Sequence, residues 1–416
     1  MAIKVGEVEL GRPIRPLAGT EEYDRARLLV RFRGRPVGWV RLGDGHRRVD
    51  VSPERIREEI DRQLASRIVS RLLISGIEPR WADEDAPKCT VVVCTRDRAE
   101  LLQECLTSVR ALDYPDFEVL VVDNAPSDDA TRRLTSRLEV RYAREDRPGL
   151  DWARNRGLKE SRGEIVAFVD DDARPDRGWL RALASAFDHP EVSAVSGMVV
   201  AQELETRAQI LFEFDLGGMT QSLERRTIRR SRATARDLLW ASSFAVGTNM
   251  AYRRSVFEGE RAFDPALDVG TPTGSGGDLE MCHRLVANGH TMVYEPAALV
   301  WHIHRRTLLG LQRQLYANGT GFGSYLLTCA RNGTVGRLAI LRFALVEWLW
   351  GWILKRLVRP HGLPRRLVLA ELRGAIRSPF AYLAARRHVR RIASIGEPAS
   401  AGVEPRLARV RPELES

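Results

Sequence analysis

EIVAFVDDDARPDRGWL, from Glu164 to Leu180, carries an apolar run into three consecutive aspartates, Asp170, Asp171 and Asp172. Ile165 to Val169 has the composition of a strand buried on both faces, and the aspartates mark its carboxyl end. Three adjacent carboxylates repel one another, and an unpaired buried charge is costly. Upstream, CTVVVCT (89–95), FEVLVVDN (117–124) and EVRYARE (139–145) are strands. RAELLQECLTSVRAL, APSDDATRRLTSRL and GLDWARNRGLKESRG lie between them as helices, and DRGWLRALASAF is a further helix. Fully apolar strands alternating with amphipathic helices predict a parallel sheet covered on both faces. Ligands of such sheets lie beyond the carboxyl ends of the strands. Those ends carry Thr95, Arg96, Asp97 and Arg98, then Asp123 and Asn124, then Asp170 to Asp172. A hard divalent cation, Mg²⁺ or Mn²⁺, would relieve the repulsion and bridge carboxylates to substrate phosphates.

Composition bounds the rest. The chain of 416 residues has room for one large domain with additions, or for several domains. Cys89, Cys94, Cys105, Cys282 and Cys329 form no CxxC pair, which points to reduced thiols rather than a disulfide framework or a zinc ribbon. MAIKVGEVELGRP lacks the apolar core of a signal peptide. Both features favour a cytoplasmic protein. The net charge of +10 is concentrated: Arg331 to Arg391 holds 14 Lys or Arg and two acids.

Four regions follow. Residues 1–87 form a small α+β accessory unit. In it, ARLLVRFRGRPVGWVRL gives two strands around a Gly-Arg-Pro turn, and SPERIREEIDRQLASRIVSRLLI gives an amphipathic helix. WADEDAP is a linker. Residues 88–309 are the α/β domain, 310–395 are basic, Trp-containing and helical, and 396–416 are a disordered tail.

The ordered stretches VVVCTRDRAELLQECLTSV, VLVVDNAPSDD, ARNRGLKESRGEIVAFVDDDARP, GTNMAYRRSVF and FDPALDVGTPTGSGGDLEMCHRLVANGHTMVYEPAALVWHIHR resemble glycosyltransferase family 2. The resemblance covers about 88 to 305. It implies a GT-A (Rossmann-like) fold with a mixed, mainly parallel sheet. It also implies inverting transfer from a nucleotide-diphosphate sugar (UDP, GDP or dTDP type) with Mn²⁺ or Mg²⁺. Thr95 and Arg98 match the loop lining the nucleobase pocket, Asp123 the acid contacting base or ribose, and Arg154 and Asn155 a basic-polar pair facing the nucleotide. Asp170 and Asp171 match the donor-facing part of the DXD motif, and Asp172 its metal-binding acid.

The family places Glu-Asp where this chain has Gly277-Asp278. Asp278 keeps the position of the catalytic base, which takes the acceptor's proton during a single displacement. Glu280 takes part of the role of the missing acid. A helix N-cap is the plain structural alternative for Asp278. Period two puts His302 and His304 on one face of ALVWHIH. The resemblance implies that a downstream His, His302 by preference, completes the metal shell or touches the diphosphate, with His304 on the acceptor side; two surface histidines on an edge strand are the alternative. GTNMAY resembles the family's acceptor-side strand, which implies that Gly247, Thr248 and Asn249 approach the sugar; an ordinary buried strand start is the equal alternative. Residues 201–240, polar and Arg-rich, suggest an acceptor-side or mobile loop.

Leu338 to Leu354, interrupted by Arg342 and Glu347, is marginal for a membrane span. Its tryptophans with flanking Arg suit an interfacial helix on an anionic membrane, on the inner face of the cell membrane. The alternative is helices packed on the transferase domain. Nucleic acid is disfavoured, since no recognised binding module accompanies the basic segment. LQRQLYANG lacks the Arg-Trp of processive family members, which implies transfer of one sugar. The function expected is therefore cell-envelope glycan, glycolipid or natural-product biosynthesis, to an acceptor the sequence does not identify. The competing reading is an inactive sugar-nucleotide binder or a membrane scaffold.

Overall fold

In a computed structural model of the chain, the described residues are 2–72, 83–219, 222–358 and 362–395. The proposed tail 396–416 and residues Trp81 and Ala82 of the proposed linker lie outside them.

The N-terminal residues build a sheet of their own. Strands β1 (Lys4–Glu9), β2 (Ala26–Phe32) and β3 (Arg35–Leu42) pair in that order, and helix α1 (Pro53–Leu72) follows. Ile56, Ile60 and Leu64 of α1 pack on Leu28, Val30 and Val40. The sequence reading missed β1 and misplaced the hairpin turn, which is Arg33-Gly34. Both residues have positive φ (49° and 74°), which fits a primed two-residue turn matched to strand twist. This unit docks on the larger domain through Arg31, which donates to Asp176 at 2.7 Å, and Arg27, which donates to Glu213 at 2.6 Å.

The larger domain runs β4 (Cys89–Thr95), α2 (Ala99–Arg110), β5 (Phe117–Asn124), α3 (Ala130–Arg137), β6 (Arg141–Glu145), α4 (Leu150–Glu160), β7 (Ile165–Asp170), β8 (Ala173–Pro175) and α5 (Trp179–Ala186). It continues with β9 (Val192–Ala201), α6 (Arg207–Ile210), β10 (Arg226–Ile228), α7 (Ala235–Leu239), β11 (Asn249–Arg253), α8 (Gly277–Ala287) and β12 (Thr291–His302). The sheet order is β10-β12-β9-β11-β7-β4-β5-β6, with β8 on β12. Strands β7, β4, β5 and β6 are parallel, and β11 runs antiparallel between β7 and β9. The result is a mixed, mainly parallel sheet, as the GT-A expectation requires.

Period two divides each central strand between two cores. Val92, Val166 and Phe168 face one side, and Val91, Val93, Ala167 and Val169 the other. Strand β9 was not anticipated, although all ten of its residues are buried. In β12, pairing with β9 breaks between Glu295 and Leu299, where Pro296 cannot donate to the ladder.

The C-terminal helices are α9 (Leu308–Asn332), α10 (Arg337–Arg342), a wider π-helical stretch (Phe343–Leu354), α11 (Lys355–Val358) and α12 (Arg365–Ile392). Helices α9 and α12 cross closely, because a Cβ at Gly319 would stand 2.0 Å from the Glu371 carbonyl oxygen. Arg386 donates to Asp264 at 3.2 Å, so one face of α12 packs on the α/β domain, as the structural alternative holds. Among the described residues no helix is long and apolar enough to cross a membrane.

Candidate active site

The carboxyl ends of β4, β5 and β7 open into a cavity of about 600 Å³. Thr95, Arg98, Asp170, Asp171, Asp172 and His302 all line it. Asp171 is held by the Thr95 hydroxyl (2.7 Å) and by Arg98 (3.1 Å). Burial still pushes its carboxyl up to about 6 against these two partners. Burial and the charge of Asp172 raise Asp170. In Asp172, burial is outweighed by His302, Arg98 and Arg305, and the carboxyl falls to about 2. Asp123, at the end of β5, accepts from Tyr142 at 3.1 Å, and its Oδ1 is buried without a partner. Burial raises its carboxyl to about 6.

Asp170, Asp172 and His302 each bring one ligand atom within 4.8 Å of the others. Proton positions follow from the residues behind His302. Glu213 is held ionised because His304 and Arg27 outweigh its burial, so it only accepts. His304 Nε2 lies 3.3 Å from Glu213 and must donate to it. Burial lowers the pKa of His304 and keeps its ring neutral, so its Nδ1 accepts from His302 Nδ1 at 3.1 Å. With Nδ1 committed to His304, the His302 ring presents Nε2 to Asp172 Oδ1 at 3.3 Å. Two carboxylates with one imidazole, their ligand atoms gathered at one point, suit Mn²⁺. His304 therefore stands behind His302, 3% exposed and away from the acceptor side expected for it. It also lies beyond the last residue of β12.

Asp278 is the second residue of α8, and Gly276 is the cap. The N-cap alternative is thus displaced: Asp278 accepts from the backbone N–H groups of Gly247 (2.7 Å) and Leu279 (2.9 Å). Burial and the charge of Asp268 push its carboxyl up to about 6, against Arg154 and these two donors. The next residue after Gly247, Thr248, donates from its hydroxyl to Asp170 at 2.6 Å. Two consecutive residues thereby tie Asp278 to the aspartate cluster.

Several anticipated residues face elsewhere. Arg154 is buried under Asp278 and pairs with Asp151 (2.9 Å) and Asp268 (2.6 Å); it does not face the nucleotide side. Asn155 pins the loop at Phe263 by exchanging two hydrogen bonds with its backbone. Asn249 is fully buried, accepts from Trp179 and donates to the carbonyls of Met198 and Ala298, so Gly247 and Thr248, in the turn just before β11, are the residues of this segment near the site. Glu280 turns away and accepts from Arg284 at 2.9 Å.

Gly277 explains where the missing acid went. A Cβ on it would lie 1.9 Å from Asp151 Oδ2, so the Asp151 carboxylate, from α4, fills the space beside Asp278. That oxygen is buried without a partner, and burial with the charge of Asp268 raises the Asp151 carboxyl well above the usual range. The sequence signal was the pair Gly277 and Asp151, whose adjacency only the fold supplies. Residues 201–240 are not a featureless loop: they contain α6, β10 and α7, and Met219 lines this cavity.

Residues 90–260 match the family model described as Glycosyl transferase family 2. The pre-mycofactocin glycosyltransferase of Mycobacterium tuberculosis is 29% identical over 61% of this chain and 50% of that protein. The glucosyl-dolichyl phosphate glucuronosyltransferase of Haloferax volcanii is 26% identical over 52% of this chain and 69% of that protein. The chain thus spans half the length of the mycobacterial relative. A solved mannosyltransferase from Pyrobaculum calidifontis, in complex with GDP-Man and Mn²⁺, is 19% identical with a TM-score of 0.45, over 80% of this chain and 82% of that one.

Proposed function

Through residues 90–260 the chain belongs to glycosyl transferase family 2, and on that footing we propose that it transfers one sugar from a nucleotide-diphosphate sugar to an acceptor hydroxyl with inversion. The observation that carries this reading is the Gly247-Thr248 tie. It holds a buried carboxylate at Asp278 next to the cation-binding set, as a single displacement needs. Asp170, Asp172 and His302 would hold Mn²⁺ or Mg²⁺, which offsets the charge of the donor diphosphate. Arg98, Arg305 and Arg313 line the same cavity and add fixed positive charge for the phosphates. The free Oδ1 of Asp123 is left for a donor group of the base or ribose.

In the transfer, Asp278 takes the proton of the acceptor hydroxyl as its oxygen bonds to the anomeric carbon. The bond from that carbon to the diphosphate breaks, and its electron pair leaves with the nucleoside diphosphate. Asp151 and Arg154 position Asp278 and do not touch the reacting atoms. A thermal-shift panel of UDP-, GDP- and dTDP-sugars with and without Mn²⁺ tests the reading. One nucleotide class should raise Tm only with Mn²⁺, and no response from any donor would refute it.

A second feature supports docking of the C-terminal helices on an anionic membrane surface. On α12, Ile376, Phe380 and Leu383 are exposed along one face, with exposed Arg373, Arg377 and Arg387 beside them. On the preceding helices Leu338, Leu341, Leu345 and Trp350 are also exposed. An apolar stripe rimmed by arginine fits a headgroup boundary. We infer on this basis that the protein works at the inner face of the cell membrane and that its product enters envelope glycan or glycolipid assembly.

A further inference from the structure

A second cavity, about 510 Å³, has Asp278 in its lining. That volume is within the ~300–1,000 Å³ of ordinary ligand pockets. Its wall is aromatic: Trp240, Phe322, Trp348 and Trp352, with Asp278 at one side and Glu371 of α12 also lining it. The rings brace one another, Trp240 edge-on to Trp352 at 5.8 Å and Phe322 stacked on Trp348 at 5.9 Å. Met219, Ser275, Gln314 and Asn318 line both this cavity and the one holding the aspartate cluster, so the two adjoin. Glu371 accepts from Trp352 Nε1 at 2.9 Å and is nearly buried.

We propose that this cavity is the acceptor subsite and that its occupant is an uncharged pyranose ring, with its flat C–H face on the aromatic side chains and hydroxyls on Asp278 and Glu371. The proposal rests on the transferase reading and adds the class of acceptor. Aromatic rings with carboxylates and amides suit a ring that is apolar on its faces and hydroxylated at its edge. Two carboxyl groups disfavour an anionic head group in the same space. Burial pushes the Glu371 carboxyl up to about 7, against Trp352 and Arg356, and either protonation state can bond a hydroxyl. Two carboxyl groups favour a polyhydroxylated ring over a phenol, which offers one hydroxyl. The chemistry balances as above: the pyranose O–H proton passes to Asp278, the new O–C bond forms, and the nucleoside diphosphate departs with the electron pair.

The test uses the full chain. Its tryptophan emission is titrated with methyl glucopyranoside, galactopyranoside, mannopyranoside and N-acetylglucosaminide, and separately with p-cresol. Donor binding is followed in parallel by calorimetry with UDP, GDP and dTDP in Mn²⁺. At least one pyranoside should give a saturable shift, weakened about tenfold or more in Glu371→Gln and Trp352→Phe and unchanged in Asp172→Ala. Should those two core variants fail to fold, Ser242→Trp, at an exposed position on the cavity lining, should abolish the shift by blocking entry. A response to p-cresol without any pyranoside response overturns the proposal in favour of a phenolic acceptor. Silence from every ring, or binding that Ser242→Trp leaves intact, also overturns it. Donor binding that fails while a pyranoside binds sinks the transferase reading and with it the acceptor role, and leaves a pyranose-binding cavity alone.

Discussion

Replacing Gly277 by alanine is a small change with a calculable effect. The added Cβ would stand 1.9 Å from Asp151 Oδ2, where real Cβ contacts essentially never fall below 3.0 Å. The two must separate by about 1 Å or more, and overpacking a buried site typically costs ~1–3 kcal/mol. The displacement reaches chemistry through a short chain of contacts. Asp151 holds Arg154, a Cβ at Gly247 would meet Arg154 at 2.7 Å, and Gly247 holds Asp278. A misplacement of ~1 Å can cost ~100-fold in rate. Gly277→Ala should therefore lower Tm modestly, leave Mn²⁺-dependent nucleotide affinity near wild type, and cut kcat by about two orders of magnitude. The reciprocal change completes the argument. Asp151→Gly makes room, so Gly277→Glu combined with Asp151→Gly restores an acid beside Asp278 and should recover activity that each single variant loses. The readouts are thermal unfolding, calorimetry with the nucleotide, and steady-state transfer. Wild-type Tm and kcat in Gly277→Ala would refute the reasoning, as would a double variant no better than the product of its singles.

Other outcomes follow from the same geometry. Asp278→Asn should retain donor affinity and lose about 10²–10⁴ in turnover, the usual worth of a general base. With the Asp278 carboxyl pushed up to about 6, it is protonated and unable to accept below that pH, so wild-type kcat should fall as pH drops through about 6. Glu213→Ala removes the acceptor that fixes His304 and through it His302, and Mn²⁺ affinity measured by calorimetry should weaken about 10–100-fold with Asp170 and Asp172 untouched. Charge reversal at Arg373, Arg377 and Arg387 should reduce binding to anionic liposomes at low salt. Arg386 is left intact because it bonds Asp264, and equal binding by both proteins at low and high salt would remove the membrane reading.

The centre of the sheet was legible because β4, β5 and β7 are nearly continuous apolar runs separated by helices. The aspartate cluster alone reads equally well as a solvated acidic turn; it was legible as a site because it ends a buried strand, with Asp123 at the end of another. Strand β9 escaped because VSAVSGMVVA mixes small and polar residues that are buried only in context. Polar identity alone did not tell direction. Arg154, Asn155 and Asn249 sit in the right motifs, yet their side chains satisfy Asp151 and Asp268, the Phe263 backbone and the Trp179 indole. Asp151 beside Gly277, and Glu213 behind His304, are contacts between elements distant in sequence. Neither leaves a local pattern. The aromatic cavity likewise assembles from residues before, within and after α8, and composition alone gave only a tryptophan-rich basic segment.

The central claim is that Asp170, Asp172 and His302 bind a nucleotide-diphosphate sugar through a divalent cation. Calorimetry of the wild type and Asp172→Ala, titrated with UDP, GDP and dTDP in the presence of Mn²⁺ and again in EDTA, tests it directly. One nucleotide should bind the wild type only with Mn²⁺, and Asp172→Ala should show no Mn²⁺-dependent heat. Unchanged affinity and unchanged metal dependence in Asp172→Ala would contradict the account.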